Sequence, residues 1–470
     1  MQRFFKYCTA AILGVASALP SSAEPARPTV RPGDFYCFRG MEASDINYLP
    51  AETAKRPQLR LQKLGNSKFD NTDGHDLREV KTEGDYRILV ILVNFKDIKF
   101  SSQWGDSKEL INDMLNGENF NFQGATGSVN NYFRRVSSGQ FNPIFDVVGP
   151  VNLSKNEIEY VTTNPDDVQI GPDGNPILDS DYKPTPVYSP GRMVEEAVKA
   201  LEGQIDFSQY DSDNDGLVDF VYLFFAGVSA TTGGTQANNI WPHAFTLTSA
   251  IGAPVQVDGV AVNRYCTSSE LGSSHSLAGI GTFCHEFAHV LGLPDFYDTA
   301  NNNGRPSSCF TPGCYSSMDA GYYNNDEHTP PVYSSYEQYS LEWMKPAALS
   351  GTGTYTLLPI EARPFAYQVS SPSNPQEYFL LEARGNSYLD RYLKGHGLLV
   401  WHIDFDLKIW DSNKPNNEAN HQHIDVVEAD NNKTESTRDG DTFPGASGIC
   451  EFTTGINPTF KDWKGEALGY

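Results

Sequence analysis

The chain has 470 residues, 39% of them hydrophobic and 12% aromatic, which is enough apolar material for a sizeable core and too much for wholesale disorder. Acids outnumber bases 59 to 35, for a formal net charge of −24. That balance speaks against nucleic acid as a partner, which needs a basic footprint, and against an anionic membrane surface; it suits a soluble protein whose acids hold cations.

Taken in chain order, residues 1–23 carry Arg3 and Lys6, an apolar run from Ala10 to Leu19 and a small-residue end, Ser21-Ser22-Ala23. That is the three-part plan of a signal peptide, so the expected location is secreted, extracellular or periplasmic. Without these residues, 59 acids face 33 bases, a net charge of −26. No run reaches the ~18 consecutive apolar residues of a spanning helix, so stable membrane insertion of the mature chain is not expected. Cys8 falls within the signal. The other six cysteines suit disulfides in an exported protein, with Cys309–Cys314 the first expected pair and Cys266–Cys284 the second.

Residues 24–84 are polar and aperiodic, and read as a pro-segment or linker. At Asp85 the character changes. Arg87–Phe95 and Leu217–Gly227 read as buried strands, Phe145–Leu153 as a further strand and Pro165–Pro190 as loop. Ser128–Val136, Met193–Leu201 and Ile280–Leu291 have helical spacing. After Pro346 short strand-like runs dominate: Thr354–Pro359, Glu377–Ala383, Gly397–Ile403 and Ile424–Ala429. The expected fold class is α+β, with a catalytic domain over 85–345 and a β-rich C-terminal region over 346–470 that belongs either to the catalytic unit or beside it.

The third helix carries the chemistry. His285-Glu286-Phe287-Ala288-His289 is an HExxH pattern. Positions i and i+4 of a helix differ by about 40° and rise about 6 Å, so both imidazoles leave one face and can bind one Zn²⁺. Glu286 sits beside that face, placed to act as general base on a water without ligating the metal. A catalytic zinc needs a third protein ligand. Gly292 can stop the helix in the left-handed conformation, Pro294 prevents its resuming, and Asp295 follows, with Asp298 in reserve. The full pattern is HExxHxxGxxD, a carboxylate standing where the metzincin pattern has a third histidine. Met318, 23 positions beyond Asp295, is the candidate for a methionine turn beneath the ligands. Tyr322 and Tyr323 are candidates for contact with a substrate carbonyl or oxyanion, or for plain packing.

A second cation site is expected at Asp211, Asp213, Asp215 and Asp219, positions 1, 3, 5 and 9 of a loop with Gly216 at position 6. Alternating carboxylates around a glycine turn form a Ca²⁺ loop, although position 12 is Tyr222 rather than the glutamate of an EF-hand, and the ion's role would be structural. Asp430, Asp439 and Asp441 read as surface charge, and His402, His421 and His423 as structural or exposed histidines. Cys37 offers a thiolate for latency, although a disulfide half or an incidental thiol fits it better. No Gly-x-Ser-x-Gly elbow, P-loop or GxGxxG occurs. The competing reading from another class is a non-catalytic, cation-stabilised surface binding or adhesion protein on a peptidase scaffold, against which the intact Glu286 speaks. A zinc hydrolase of non-peptide amides is the enzymatic rival.

The zinc helix, its Leu293-Pro294-Asp295-Phe296-Tyr297-Asp298 continuation, the Met318 segment and Ser335-Tyr336-Glu337 with Leu341-Glu342-Trp343 resemble the immune inhibitor A family of secreted bacterial metallopeptidases. Trp241-Pro242-His243, Gly397–His402 and Asp439–Gly445 extend the resemblance over about residues 85–450. It implies a metzincin-like endopeptidase, a twisted mixed sheet with an active-site helix and methionine turn, made as a zymogen. His285, His289 and Asp295 would be the zinc ligands, Glu286 the general base, and proteins or peptides the substrates; oligomeric state stays open.

Overall fold

The computed structural model describes residues 36–39 and 81–465, apart from 162, 172–173, 180–181, 236, 273–274, 302–308, 350–353 and 452–460. The expected signal over 1–23, nearly all of 24–84 and the side chain of Cys37 lie outside the described residues.

Five strands make the first sheet: β1 (Gly84–Asn94), β2 (Phe141–Asn152), β3 (Val221–Val228), β4 (His243–Thr246) and β5 (Arg264–Leu271). Their order is β2-β1-β3-β5-β4; the first four in that order run parallel, and β4 closes the edge antiparallel to β5. The apolar run of β1 is explained by its place inside this sheet. Ile88, Val90 and Leu92 enter the core on one face, while Leu89, Ile91 and Val93 enter a second core on the other.

The first face is covered by α1 (Ser107–Asn116), α2 (Val129–Val136) and, further along the chain, the fully buried α4 (Gly281–Val290); the second by α3 (Ser189–Leu201). Ser128 caps α2 as its sequence suggests: its Oγ accepts from Asn131 N at 3.2 Å, and Asn131 Oδ1 accepts from Ser128 N at 3.3 Å. Replacing such a cap by alanine costs about 1 kcal/mol.

Beyond the short α5 (Ser335–Ser340) the chain builds a second, largely antiparallel sheet from β6 (Ala347–Ala348), β7 (Tyr367–Ser370), β8 (Glu377–Arg384), β9 (Gly397–Asp404), β10 (Ile424–Val426) and β11 (Phe443–Pro444), with α6 (Leu407–Asp411) between β9 and β10. The order is β6-β7-β8-β9-β10, and β11 also pairs with β9. Tyr378, Leu380, Leu399 and Trp401 from one face of this sheet share a single apolar cluster with Phe283 and Phe287 of α4 and Tyr222 of β3. The helix is therefore buried between the two sheets, and residues after 346 complete the core around it.

Several expectations need correction. Leu217–Gly227 is not one strand: Leu217–Val218 pairs elsewhere, and the chain bends at Asp219, whose carboxylate accepts from Tyr86 Oη at 2.7 Å. The Pro165–Pro190 stretch is not simply loop, because Thr163–Val168 and Pro186–Tyr188 pair antiparallel and α3 already begins at Ser189, with Pro190 tolerated in its first turn. Strands β4 and β5 and helix α1 were not expected. The Cys309–Cys314 and Cys266–Cys284 bridges are not formed; all four residues are buried thiols. Cys266 faces the helix backbone, its Sγ 3.5 Å from the Glu286 carbonyl, while Cys284 lies in the core beside Tyr132 and Tyr333. Asp441, expected at the surface, is fully buried, and burial pushes its carboxyl up to about 7.

Candidate metal centre

Helix α4 brings His285 and His289 to one face, with ring centroids 4.8 Å apart. The helix ends as its sequence predicts: Gly292 has φ +105°, and Leu293 N reaches back to the Ala288 carbonyl at 3.1 Å. The reversal returns Asp295 to the histidines, and its Oδ1 lies 3.1 Å from both Nε2 atoms. All three side chains are at most 3% exposed. Gly281 allows the helix start to press against the turn holding Tyr322, since a Cβ there would lie 2.0 Å from the Tyr322 carbonyl oxygen.

The other ring nitrogens define the tautomers. His285 Nδ1 lies 2.8 Å from the Ser317 carbonyl and His289 Nδ1 2.7 Å from the Leu293 carbonyl. A carbonyl only accepts, so each Nδ1 carries a proton and each neutral ring turns the lone pair of Nε2 toward Asp295. Two imidazole lone pairs and a carboxylate oxygen then meet in a dry pocket, an arrangement that a cation at their centre stabilises and that is costly without one. Two nitrogens and one oxygen are a donor set suited to zinc. These three residues, whose ligand atoms all lie within 4.8 Å of one another, fit the expected metal.

Glu286 is 4% exposed, and its Oε2 finds no hydrogen-bond donor among the described residues. Met318 is fully buried in the same cluster as Phe287; its carbonyl accepts from Phe296 N at 2.8 Å, and the preceding Ser317 carbonyl is the one that orients His285. The Tyr322 ring lies 4.5 Å from that of His285, and the ring of Tyr323, 41% exposed, lies 4.0 Å from that of Tyr322. Burial, with Tyr323 beside it, holds the Tyr322 phenol well above its ordinary value, so it remains an O–H donor.

Two contributors were not anticipated. Tyr297 lies beside Asp295 and stacks toward His285 at 6.4 Å; burial first, then the Asp295 charge, raises its phenol. Asn413 comes from 118 residues further on. Its Nδ2 donates to Asp295 Oδ2 and its Oδ1 accepts from Asp295 N, both at 2.7 Å. Asn416 and Asn417 continue the grip, on the Phe296 carbonyl at 2.7 Å and on Thr299 N at 2.9 Å. The only local signal was the asparagine density of Asn413-Lys-Pro-Asn-Asn417, which by itself names no partner.

The acidic loop is partly as expected. Asp211, Asp213 and Asp215 bring carboxylate oxygens within 4.8 Å of one another, and Gly216 has φ +91°. Asp219 does not join that group: it accepts from Tyr86 Oη at 2.7 Å and Ser212 N at 3.2 Å, which ties the loop to β1.

The sequence has relatives among known proteins. A sequence model described as the immune inhibitor A peptidase M6 catalytic domain matches residues 75–345, more than half of the chain, and the chain belongs to that family. It is 29% identical over 137 residues to immune inhibitor A of Bacillus thuringiensis subsp. alesti, covering 23% of this chain and 19% of the relative. It is 24% identical over 261 residues to pre-pro-metalloprotease PrtV of Vibrio cholerae serotype O1, covering 47% of this chain and 26% of the relative. The matches thus span about a fifth to a quarter of the curated relatives' own length. The matched region is that family's catalytic domain. Among the described residues no helix is long and apolar enough to cross a membrane.

Proposed function

We propose that this chain is a secreted, metzincin-like zinc endopeptidase, with His285, His289 and Asp295 as ligands and Glu286 as general base. The observation that carries this reading is the convergence of both Nε2 atoms on Asp295 Oδ1 while both Nδ1 atoms are engaged with carbonyls. Bound there, zinc supplies Lewis acidity that polarises a peptide carbonyl and lowers the pKa of a water. The chain's own residues do the rest. Glu286, its Oε2 open, takes the proton from the attacking water and passes it to the leaving amine. Tyr322 offers its O–H to the developing oxyanion. Met318 is the apolar floor. Substrate lies extended along the antiparallel edge strand β4, pairing backbone to backbone.

Calcium in the Asp211–Asp213–Asp215 group is a structural ion of the same proposal. So are the export signal over 1–23, the pro-segment before 85 and the zymogen state; PrtV's own description as a pre-pro-metalloprotease supports them.

The test is Glu286→Gln. The variant is expected to keep one equivalent of zinc at the catalytic ligands while cleavage of unfolded casein falls by ~10²–10⁴-fold. Undiminished cleavage would overturn the mechanism. Loss of wild-type cleavage in chelator and its return with zinc separates a peptidase from a binding protein on the same scaffold.

A further inference from the structure

Helix α4 has no side-chain cap of its own: Ile280 precedes it with helical backbone angles and offers no acceptor. The partner comes from 45 residues further on. Thr282 Oγ1 donates to Glu327 Oε2 at 3.0 Å, and Gly281 N donates to the Glu327 carbonyl at 2.8 Å. Glu327 N in turn donates to the Tyr323 carbonyl at 3.3 Å. One buried residue therefore ties the start of the helix that carries His285 and Glu286 to the turn that carries Tyr322 and Tyr323. Its backbone is strained in doing so. Asn325, Asp326 and Glu327 have φ of +54°, +53° and +66°. Asparagine and aspartate visit the left-handed region as single residues, whereas three such residues in a row, ending in a glutamate, persist only where the surroundings hold them. Two glycines on the helix side let the backbones meet. A Cβ at Gly279 would lie 2.2 Å from the Glu327 carbonyl carbon and oxygen, and one at Gly281 would lie 3.2 Å from the Glu327 Cα. On the other side Thr126 N donates to the His328 carbonyl at 3.2 Å, and Asn325 Nδ2 to Thr329 Oγ1 at 3.0 Å.

We propose that Glu327 is a positioning residue for the peptidase reaction: it docks the Tyr322 turn on helix α4 and so aims the Tyr322 phenol at the oxyanion. The inference rests on the reading of Tyr322 as oxyanion donor and Glu286 as general base. Thr282 lies four residues before Glu286, on the same helix face one turn back, so the Glu327 carboxylate grips the helix one turn from the base. At the other end of the linkage the Tyr322 ring lies 4.5 Å from that of His285. Helix and turn are joined here by the side chain and both backbone groups of a single residue. An oxyanion donor lowers the barrier only if it is already aimed when the charge develops. With the carboxylate removed, the turn keeps its backbone bonds and loses its side-chain anchor on Thr282. Substrate then binds as before, and the contact made only in the transition state weakens. Glu327 acts through Tyr322 and not on the substrate itself.

The experiment measures kcat and KM on labelled casein with the zinc-loaded full chain. Glu327→Ala is expected to lower kcat and kcat/KM together by ~10–100-fold, with KM and zinc content unchanged. Glu327→Gln, whose amide oxygen still accepts from Thr282, should recover most of that loss. Thr282→Val, which removes only the hydroxyl, should reproduce part of it and stands in if Glu327→Ala misfolds. Coupling is the readout that a merely structural role would not move. In a Tyr322→Phe background, Glu327→Ala should cost no more than about twofold further, because the group it aims is already gone. An equally large loss in both backgrounds, or full kcat in folded Glu327→Ala or Thr282→Val, would overturn the proposal, and so would full kcat in Tyr322→Phe. Glu286→Gln in the same assay keeps the two readings apart. If it cleaves undiminished, the mechanism itself fails; if it is inactive while the Glu327 variants are fully active, only the positioning role does.

Discussion

Two clusters in this molecule hold the same side chains, two histidines and an aspartate, in different physical settings. His285 and His289 sit four residues apart on a buried helix, Asp295 is fully buried, and its two oxygens are divided between the imidazoles and Asn413. His421 and His423 sit two apart on a surface segment with His421 39% exposed, and a single asparagine steadies Asp404. Water screens the second cluster, so it can stand without an ion as a hydrogen-bonded group. The first is buried, where three converging polar groups cost more to leave uncompensated and a cation between them would stabilise them most. The side-chain set is shared; burial, ring orientation and outer partners are what differ.

Asn413→Ala tests the part of that contrast owed to outer partners. Removing both hydrogen bonds to Asp295 should lower zinc affinity at the catalytic ligands by ~10–100-fold, as loss of an outer-shell partner typically does. Competition with a chelating dye measures it, and an unchanged affinity would show that Asp295 is held by Gly292 and the helix end alone. A smaller effect is expected at the acidic loop. Asp213→Asn, assayed with zinc saturating, should lower the melting temperature and abolish the stabilisation that added calcium gives the wild type; identical melting with and without calcium would remove the ion from this loop.

The smallest effect concerns a buried acid held by neutral donors. Glu157 is 2% exposed and accepts from Asn239 Nδ2 and Ile240 N, yet burial raises its carboxyl to about 7. A folded value above the unfolded one means that its contribution to stability is complete below the normal carboxylate range and is lost as pH rises through about 7. Melting of the wild type should therefore decline between pH 5 and pH 8 by more than that of Glu157→Gln, which stays neutral. Parallel pH curves for the two proteins would refute the shift.

Much of the candidate site was legible because its determinants are local. The i, i+4 histidines of α4, the left-handed glycine at 292 and the acid three positions on lie within eleven residues, 285–295, and no distant partner has to be known. The apolar runs of β1 and β3 were legible for a similar reason, since a strand covered on both faces needs little polar alternation. The errors cluster where distant chain meets distant chain. Even spacing suggested that Asp219 would join the calcium loop, but Tyr86 on β1 claims it. The expected cysteine pairs are not joined either: Cys266 on a strand and Cys284 on a helix are both buried thiols, and so are Cys309 and Cys314.

By itself, then, the sequence determined the helix carrying His285 and His289, its stop, the candidate ligands and the mixed α+β character of the chain, because helical period and turn chemistry act over a few residues. Tertiary structure alone decided that Asn413 grips Asp295, that the second sheet buries the helix, and that Asp404 meets His421 and His423. Those contacts join segments up to 118 residues apart, and only the packing of whole sheets brings such segments to hydrogen-bonding distance.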